Sequence, residues 1–299
     1  MSSKPVIFNQ TSYGKAEVGV LYVHRHDKYR HSITDFQVTV SLTLATFIDY
    51  THGDNSDIVA TDTTKNTIYF LAHQHPEALE SPERFGILIC THFLTKYQHI
   101  LNCNVYVETN GWKRAVVHGK EHAHAFIGDS SIKRFTTVSK PRGQPFRISS
   151  GFKNLKLLKT TQSGFEGFMK DELTSLTDTK DRIFATSATI NYEFNSIDSV
   201  NFNDIWEQVL RTVVESFSGP YDTGVYSSSV QHTMYLTNKR VLEEHKIIEQ
   251  VEMNMPNIHY FLYDLTKIGV KGNTTTLFPA PLPYGHISCK LGRSVLAKL

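Results

Sequence analysis

Several features that mark large protein classes are absent from this sequence. No apolar run approaches the ~20 residues that a membrane-spanning helix requires, and the N-terminal MSSKPVIFNQTSYGK has no long apolar core of the secretory type. No G-x-S-x-G, H-E-x-x-H, Walker or G-x-G-x-x-G motif is present. The sequence therefore carries no signature of a serine hydrolase, a zinc protease or a nucleotide-binding protein. We expect no membrane association.

Cysteine is also scarce, and neither sign of charge is in marked excess. The three cysteines, Cys90, Cys103 and Cys289, form no C-x-x-C pair and are odd in number. This disfavours a disulfide framework and fits a reducing or neutral compartment. Lys and Arg total 31 against 29 Asp and Glu, scattered along the chain, for a net charge of +2. A nucleic-acid binder usually shows a concentrated basic stripe, so we expect no nucleic-acid partner.

What the sequence does contain is regular hydrophobic periodicity. In 35–46, apolar residues alternate with polar ones, a period of two that predicts a strand with one buried face. The clearest helix is predicted at 201–220, whose apolar stripe runs to a terminating Gly219-Pro220. A Ser-Pro-Glu start at residue 81 predicts another helix. The remaining predicted elements are strands at 17–26, 103–112, 122–129, 152–161, 181–194, 246–256 and 258–265, and helices at 61–75 and 229–245.

Each half of the chain therefore follows the order ββααββ. The predicted fold class is α+β, with an antiparallel sheet in each half covered on one face by two helices. The proline- and glycine-bearing segment 138–146 is the predicted boundary, which gives domains at 1–140 and 141–299. Such sheets have exposed edges, so we expect oligomerisation that covers or pairs them.

The stretch GDNSDIVATDTTKNTIYFLA (53–72) concentrates short polar side chains before an apolar run. A calcium-binding EF-hand loop needs ligands at alternating positions, a central glycine and a terminal glutamate, and this stretch does not provide them. A helix cap fits better, because Thr61 or Asp62 can accept hydrogen bonds from the free N–H groups that open the helix. We therefore predict that one of these two side chains caps it.

Two other polar clusters suggest chemistry only weakly. His122 and His124 would lie on one face of a strand, a spacing that can bind metal, but the sequence marks no third ligand nearby. They leave a histidine-rich metal hydrolase as a weakly supported hypothesis. The acidic FMKDELTSLTDTKDR (168–182) could hold paired carboxylates for acid–base work, although a solvated turn explains it more simply.

Eight short stretches, taken together, resemble the urate oxidase (uricase) family. Any one of them alone is a weak match, but they occur in the family's order and span almost the whole chain. The matching stretches are YGK (13–15), DNSDIVATDTTKNT (54–67), THFLTKY (91–97), HAHAFI (122–127), LKTTQSGFEGF (158–168), DRIFAT (181–186), SVQHTMY (229–235) and MPNIHYF (255–261).

The resemblance implies a tandem tunnelling fold (T-fold) of two ββααββ units, with four subunits closing their sheets into barrels around a tunnel. It also implies oxidation of urate by dioxygen, with water, to 5-hydroxyisourate and hydrogen peroxide, without a metal or organic cofactor. The extreme C-terminal Ala297, Lys298 and Leu299 have the form of a peroxisomal address, as in the family. We therefore expect a peroxisomal homotetramer that acts in purine degradation.

The site residues of the family carry over to matching positions of this sequence. Lys15, Thr61 and His259 match the catalytic set, a relay that would take a proton from urate and shuttle it. Lys15, Thr61 and Asp62 would come from one subunit and the other residues from its neighbour, so a monomer would lack a complete site. The resemblance places substrate binding at Thr61, Asp62, Phe165, Leu176, Arg182, Val230, Gln231, Asn257 and Ile287.

The sequence also departs from the family's pattern near the site. Ile258 replaces a lysine that is common between Asn257 and His259, and Ala185 stands where a serine often follows. The segment ATINYEF (188–194) lacks the usual tryptophan. These positions flank the matched residues without removing one. They motivate an alternative hypothesis, a T-fold protein that binds a purine or pterin without oxidising it.

Overall fold

The structure is a computed structural model that describes residues 6–129 and 131–294. The chain divides after Ser150 into two units. Each unit contains a four-stranded antiparallel sheet, two long helices and an additional two-stranded hairpin. The chain is thus a mixed α/β protein with antiparallel sheets.

In the first unit the sheet has the strand order β1-β2-β3-β6, and each neighbouring pair is antiparallel. A separate hairpin, β4 with β5, comes between the third and fourth sheet strands in the chain. The sheet strands are β1 (Tyr13–Arg25), β2 (His31–Leu44), β3 (Ile100–Thr109) and β6 (Lys133–Pro141), the hairpin strands are β4 (Trp112–Val117) and β5 (Lys120–Gly128), and the helices are α1 (Ile48–Thr51), α2 (Thr61–Gln74) and α3 (Pro82–Lys96), with a 3-10 turn at Pro76–Glu80.

The second unit repeats this order, with the sheet running β7-β8-β9-β12. A hairpin again precedes the last sheet strand, and its first strand also touches β8. The sheet strands are β7 (Arg147–Lys159), β8 (Phe184–Phe194), β9 (Ile248–Asn254) and β12 (Ser288–Gly292), the hairpin strands are β10 (Asn257–Leu262) and β11 (Leu277–Gly285), and the helices are α4 (Phe202–Ser218) and α5 (Val230–Glu244), with a 3-10 turn at Thr266–Ile268.

The periodicity of the sequence explains where the cores lie. On β2, every second side chain is buried, from Phe36 to Leu44, as the alternation predicts. On α4 the buried residues fall at helical spacing, and the helix ends at Gly219, whose φ of 74° suits glycine. The start of α3 is also confirmed, because the Ser81 side chain accepts a hydrogen bond from the N–H of Arg84.

The last sheet strand of each unit differs from the sequence prediction. Residues 122–129 do form a strand, but it pairs with β4 outside the sheet, and the fourth sheet strand is β6. Strand β6 includes Val138, which is fully buried, within the segment predicted as the domain boundary. In the second unit the predicted strand 258–265 lies in the hairpin, and β12 completes the sheet. Alternation identifies a strand but not its partner, which explains both errors.

Each unit has an arginine just after its last sheet strand, and this arginine donates hydrogen bonds to carbonyls at the end of a helix. Arg142 donates to the carbonyl oxygens of Leu94 and Tyr97, at 2.9 and 2.7 Å, where α3 ends. Its Nε also donates to the carbonyl oxygen of Ile100, at 2.8 Å. The last carbonyls of a helix have no partner within it, and a cation there also opposes the negative end of the helix dipole.

Arg293 makes the corresponding set of bonds in the second unit. Its guanidinium donates to the carbonyl oxygens of Leu242 and His245 at the end of α5. Its Nε donates to the carbonyl oxygen of Ile248, at 2.9 Å. The acceptors have the same spacing in sequence as those of Arg142. The two units therefore share this arginine–carbonyl arrangement at a helix end as well as the order of their elements.

The Arg142 bonds give a prediction for stability. Arg142→Met should lower the free energy of unfolding by about 2–4 kcal/mol, because several helix-end carbonyls lose charge-assisted hydrogen bonds. Urea unfolding followed by circular dichroism measures the change. Arg147→Met is the control, since Arg147 is exposed and its side chain contacts Gln144. Equal midpoints for the two variants would show that water satisfies these carbonyls instead.

Candidate active site

Lys15 lies at an irregular point of β1. It pairs with Val40 of β2, and the register shifts between Lys15 and Val18. Glu17, inside this bulge, has a φ of 57°. A β-carbon on Gly14 would lie 1.9 Å from the Val40 carbonyl oxygen, so only glycine fits there. Bulges re-aim side chains next to functional sites, and this one sets the direction of the half-buried Lys15.

The loop that leads to Thr61 is fixed by three hydrogen bonds. The Asp57 side chain accepts from Thr46 Oγ1 at 3.0 Å, and its carbonyl oxygen lies 2.8 Å from His99 Nε2. The N–H of Val59 donates to the Tyr13 hydroxyl at 2.9 Å. Burial raises the pKa of Tyr13, so this phenol stays neutral. Sequence reasoning missed the role of Tyr13, although it opens the YGK stretch that contains Lys15.

The predicted cap of α2 is wrong. The N-cap is Ala60, and no side chain caps this helix. The Asp62 carboxylate instead binds Lys65 Nζ at 2.5 Å and Asn66 Nδ2 at 2.9 Å, along the helix. Lys65 is the main cause of the lowered pKa of Asp62, and Lys15 contributes to it. Partners three and four residues ahead compete with the backbone for this carboxylate, which explains the error.

The start of α2 therefore presents uncapped N–H groups to solvent. The first backbone bond of the helix runs from Thr64 to Ala60, at 3.0 Å, so it leaves the preceding N–H groups without an intrahelical partner. Thr61 and Asp62 are exposed at this end. An uncapped helix N-terminus of this kind favours an anion.

In the second unit, Phe165 and Arg182 lie together. Phe165 exchanges two backbone hydrogen bonds with Thr179, at 2.8 and 3.0 Å, and the N–H of Arg182 donates to the carbonyl oxygen of Ser163 at 2.8 Å. These bonds bring the Arg182 guanidinium carbon to 5.3 Å from the centre of the Phe165 ring. The pair joins a planar cation and an aromatic face.

One nitrogen of the half-buried Arg182 side chain lacks the hydrogen-bond partner that a buried donor normally has. Its Nε is buried without a hydrogen-bond partner among the residues that the structure describes. Burial lowers the pKa of Arg182, and Tyr226 opposes that shift. An unpaired buried donor on a charged group is costly. An anionic ligand with acceptors along one edge would remove that cost.

Helix α5 places two of the expected residues at its N-terminus. Ser229 is the N-cap, and its side chain accepts from the N–H of His232 at 3.1 Å. Val230, the first helical residue, is buried, whereas Gln231 is exposed. The expectation that Val230 stands at a helix start is confirmed.

The remaining expected residues fall on the last hairpin and on a loop. Asn257 pairs with Gly285, and a β-carbon on Gly285 would lie 3.5 Å from Asn257 Cβ and 4.0 Å from Ile287 Cδ1. His259, on the same strand, has its ring 5.7 Å from that of Phe261, nearly parallel. Leu176 lies on the loop before β8 and is 56% exposed.

The two weaker polar clusters have structural partners. His122 Nδ1 accepts from the N–H groups of His124 and Ala125, and His124 Nδ1 lies 2.9 Å from the Tyr29 carbonyl oxygen. In the acidic loop Asp178 pairs with Lys170 at 2.6 Å, as in a solvated turn. Across residues 6–129 and 131–294 no group of three His, Cys, Asp or Glu is arranged for a metal ion. Within the same ranges, the helices are too short or too polar to cross a bilayer.

Comparison with known proteins identifies the family. A sequence model of the family described as Uricase matches residues 11–139 and 148–288. The chain belongs to the uricase family. The uricase of Oryctolagus cuniculus is 43% identical over 297 residues, which cover 99% of this chain and 98% of that protein. The uricase of Danio rerio is 42% identical over 298 residues, with 100% and 99% covered. The resemblance inferred from short stretches is confirmed.

Solved structures of uricases agree with this assignment. The uricase from Arthrobacter globiformis matches with a TM-score of 0.89 and 32% identity, covering 98% of this chain and 96% of that one. A uricase from Bacillus fastidious matches with a TM-score of 0.80 at 20% identity, covering 95% and 94%. The second match supports the fold alone.

The structure also relates two departures from the uricase pattern. Ile258 of β10 and Ala185 of β8 are direct partners across neighbouring strands. Both are apolar, and Ala185 is buried. A cross-strand pair is the unit that stabilises a sheet, so two apolar residues opposite each other are mutually compatible.

Tyr13 gives a prediction for the first-unit part of the site. Tyr13→Phe should leave the N–H of Val59, a buried residue, without its acceptor and cost about 1–3 kcal/mol locally. Amide hydrogen exchange at Val59 should accelerate by about tenfold or more. Tyr29→Phe, which removes a hydroxyl from an exposed ring, is the control. Unchanged exchange at Val59 would show that the loop does not depend on Tyr13.

Proposed function

We propose that this chain is an active urate oxidase that uses the residues matched above and no metal or organic cofactor. Its family reaction consumes urate, dioxygen and water and yields 5-hydroxyisourate and hydrogen peroxide. The observation that supports the site most directly is Arg182, a cation with a buried, unpartnered Nε beside an aromatic ring. Urate is a flat anion with acceptors along its edges, so it suits both groups.

Substrate binding is assigned to residues of the second unit. Arg182 pairs with one edge of urate through its planar guanidinium, while Phe165 stacks on the purine face. The amide of Gln231 offers a donor and an acceptor to another edge. The N–H of Val230 adds a donor at the start of α5, where the helix favours an anion.

Two apolar residues and the Thr61–Asp62 pair at the start of α2 also contribute to binding. Ile287, next to Asn257 across Gly285, forms part of the pocket wall. Leu176, exposed on its loop, forms another part when a neighbouring subunit covers it. Asp62 and Thr61 supply the uncapped N-terminus of α2, which faces the anionic purine from that neighbour.

Catalysis is assigned to a proton relay and an oxygen site. Urate must lose a proton to become electron-rich enough to reduce dioxygen, and Lys15, Thr61 and His259 accept and pass on that proton. The Asn257 amide holds dioxygen over the ring and then the water that adds to the oxidised purine. Dioxygen takes up two electrons and two protons to leave as hydrogen peroxide, and the water oxygen becomes the new hydroxyl.

The same proposal includes a tetramer of tandem T-fold subunits that close into a tunnel. Strands β1 and β12 have one partner each within the described chain, so both present a free edge. Large apolar side chains on the β10–β11 hairpin are also exposed, among them Phe261, Leu282 and Tyr284. Exposed apolar surface of this extent favours an interface. The site then takes Lys15, Thr61 and Asp62 from one subunit and the other residues from its neighbour.

We also propose a peroxisomal location. It rests on Ala297, Lys298 and Leu299, which lie outside the residues that the structure describes. A basic-leucine tripeptide at the terminus is the form that the import receptor reads. An enzyme that releases hydrogen peroxide would benefit from that compartment.

Turnover without metal is the central prediction. Chelator-treated protein, mixed with urate in air, should consume urate and form hydrogen peroxide in equal amounts. Urate loss is followed by its absorbance. Light scattering on the same sample should give a tetramer, because a monomer lacks a complete site. A well-folded tetramer that binds urate without turnover would support a purine- or pterin-binding protein instead. Activity that requires added metal would support a metal enzyme.

Substitution should separate binding from chemistry. Arg182→Ala should weaken urate binding, measured without dioxygen, by about 10–100-fold, since it removes charge-assisted hydrogen bonds. Lys15→Met should leave that affinity within about threefold but lower kcat by about 100-fold or more, because it removes the proton acceptor. Arg211→Ala and Lys120→Met, both at exposed positions, are the matched controls. If both site variants behaved like their controls, the residue assignment would be wrong even with an active wild-type enzyme.

A further inference from the structure

Lys159, at the end of β7, is a half-buried cation held by neutral acceptors. Its Nζ donates to the carbonyl oxygens of Phe217 and Val225, at 3.3 and 2.8 Å, and to Ser227 Oγ, at 2.7 Å. The Phe184 and Phe217 ring centres lie 5.8 and 5.3 Å from the same nitrogen. An ammonium has three N–H donors, and this one has three acceptors. Lys159 therefore ties the connection between α4 and α5 to β7.

One side of that connection supports Phe165 and Arg182. The N–H of Ser227 donates to the carbonyl oxygen of Gln162, and the N–H of Gly164 donates to that of Ser227, each at 2.9 Å. Gly164 directly precedes Phe165. Ser163 pairs with Ser227 and accepts the Arg182 N–H through its carbonyl oxygen. The backbone at Ser227 thus determines the positions of Phe165 and Arg182.

The other side of the connection supports the start of α5. The Ser227 and Thr233 hydroxyl oxygens are 2.9 Å apart, and both side chains are buried. Thr233 lies in the first turn of α5 and also donates to the carbonyl oxygen of Ser229, at 3.0 Å. A change at Ser227 would therefore move Val230 and Gln231 relative to Arg182.

We propose that Lys159 is a positioning residue for the urate site, in that its ammonium locks Ser227 between the Phe165–Arg182 pair and the N-terminus of α5. The proposal rests on the proposed function, since urate is the ligand whose fit it controls. Lys159 does not touch the substrate. Its loss should loosen two sets of binding groups at once and affect affinity more than the chemical step.

The charge of Lys159 makes this role sensitive to pH. Burial lowers its pKa to about 8. The ammonium form therefore prevails below about pH 8, and raising the pH through that value removes one donor and the charge. The ionisable residues of the connection between α4 and α5 are Tyr221, Asp222 and Tyr226. The groups facing the ammonium, which do not titrate, are the Phe184 ring of β8, the Phe217 ring and carbonyl of α4, the Val225 carbonyl and the Ser227 hydroxyl.

The test compares three variants, K159M, K159R and K156M. Urate affinity is measured without dioxygen, and kcat is measured in air, between about pH 6.5 and 9.5. K159M should weaken binding by about tenfold at pH 7 and change kcat by less than about threefold. The wild type should lose affinity as the pH rises past about 8. K159R should keep most of the affinity and lose this pH dependence, because a guanidinium does not titrate there. Lys156, exposed on the same strand, is the control.

Two results would overturn the proposal. One is a folded, tetrameric K159M that binds urate like the wild type. The other is a K159R variant whose affinity falls above about pH 8 as the wild type's does, and this comparison decides alone if K159M fails to assemble. A wild-type protein that neither binds nor oxidises urate would instead contradict the proposed function, so the two failures are distinguishable.

Discussion

The structure depends on hydrogen-bond donors for the backbone carbonyls where helices and loops end. Cationic side chains supply these donors repeatedly. Arg142 and Arg293 bind the carbonyls at the ends of α3 and α5. Lys159 binds one carbonyl at the end of α4 and one in the connection between α4 and α5. Buried carbonyls without donors are costly, so these cations fix the backbone around them. Arg182 departs from this rule, because its buried Nε has no acceptor in the described chain. That difference is why we propose Arg182 as a binding residue rather than a structural one.

The two units repeat this solution without repeating their residues. In each unit, the arginine after the last sheet strand binds carbonyls at the end of the second long helix. A hairpin separates that helix from the arginine along the chain. The acceptor spacing is the same although the acceptor residues differ, because backbone carbonyls carry no side-chain identity. The repeat is therefore preserved in backbone geometry. The units differ at their helix starts, since α2 begins without a side-chain cap whereas α5 has Ser229.

The sequence predicted the elements well because periodicity reflects local burial, as β2 and α4 illustrate. It mispredicted the partners of residues 122–129 and 258–265, since pairing depends on segments distant in the chain. The carried-over site residues came from a resemblance that the family match supports. Tyr13 and Lys159 lie within two of the matching stretches, but nothing in the sequence indicated their roles, because their hydrogen bonds span 46 and up to 68 positions. A side chain that acts through distant backbone leaves no local pattern.

Net charge is a second property from which function could not be predicted. A net charge of +2 does not suggest an anion-binding protein. For anion binding, the informative cations are those whose contacts include no carboxylate partner. Lysines and arginines such as Lys65, Lys170 and Arg240 are paired with acids. Arg182 and Lys159 are half-buried, and the contacts that position them are neutral. Burial lowers the pKa of both, because a half-buried charge is poorly solvated. Composition averages such local charges away, so it does not predict where an anion could bind.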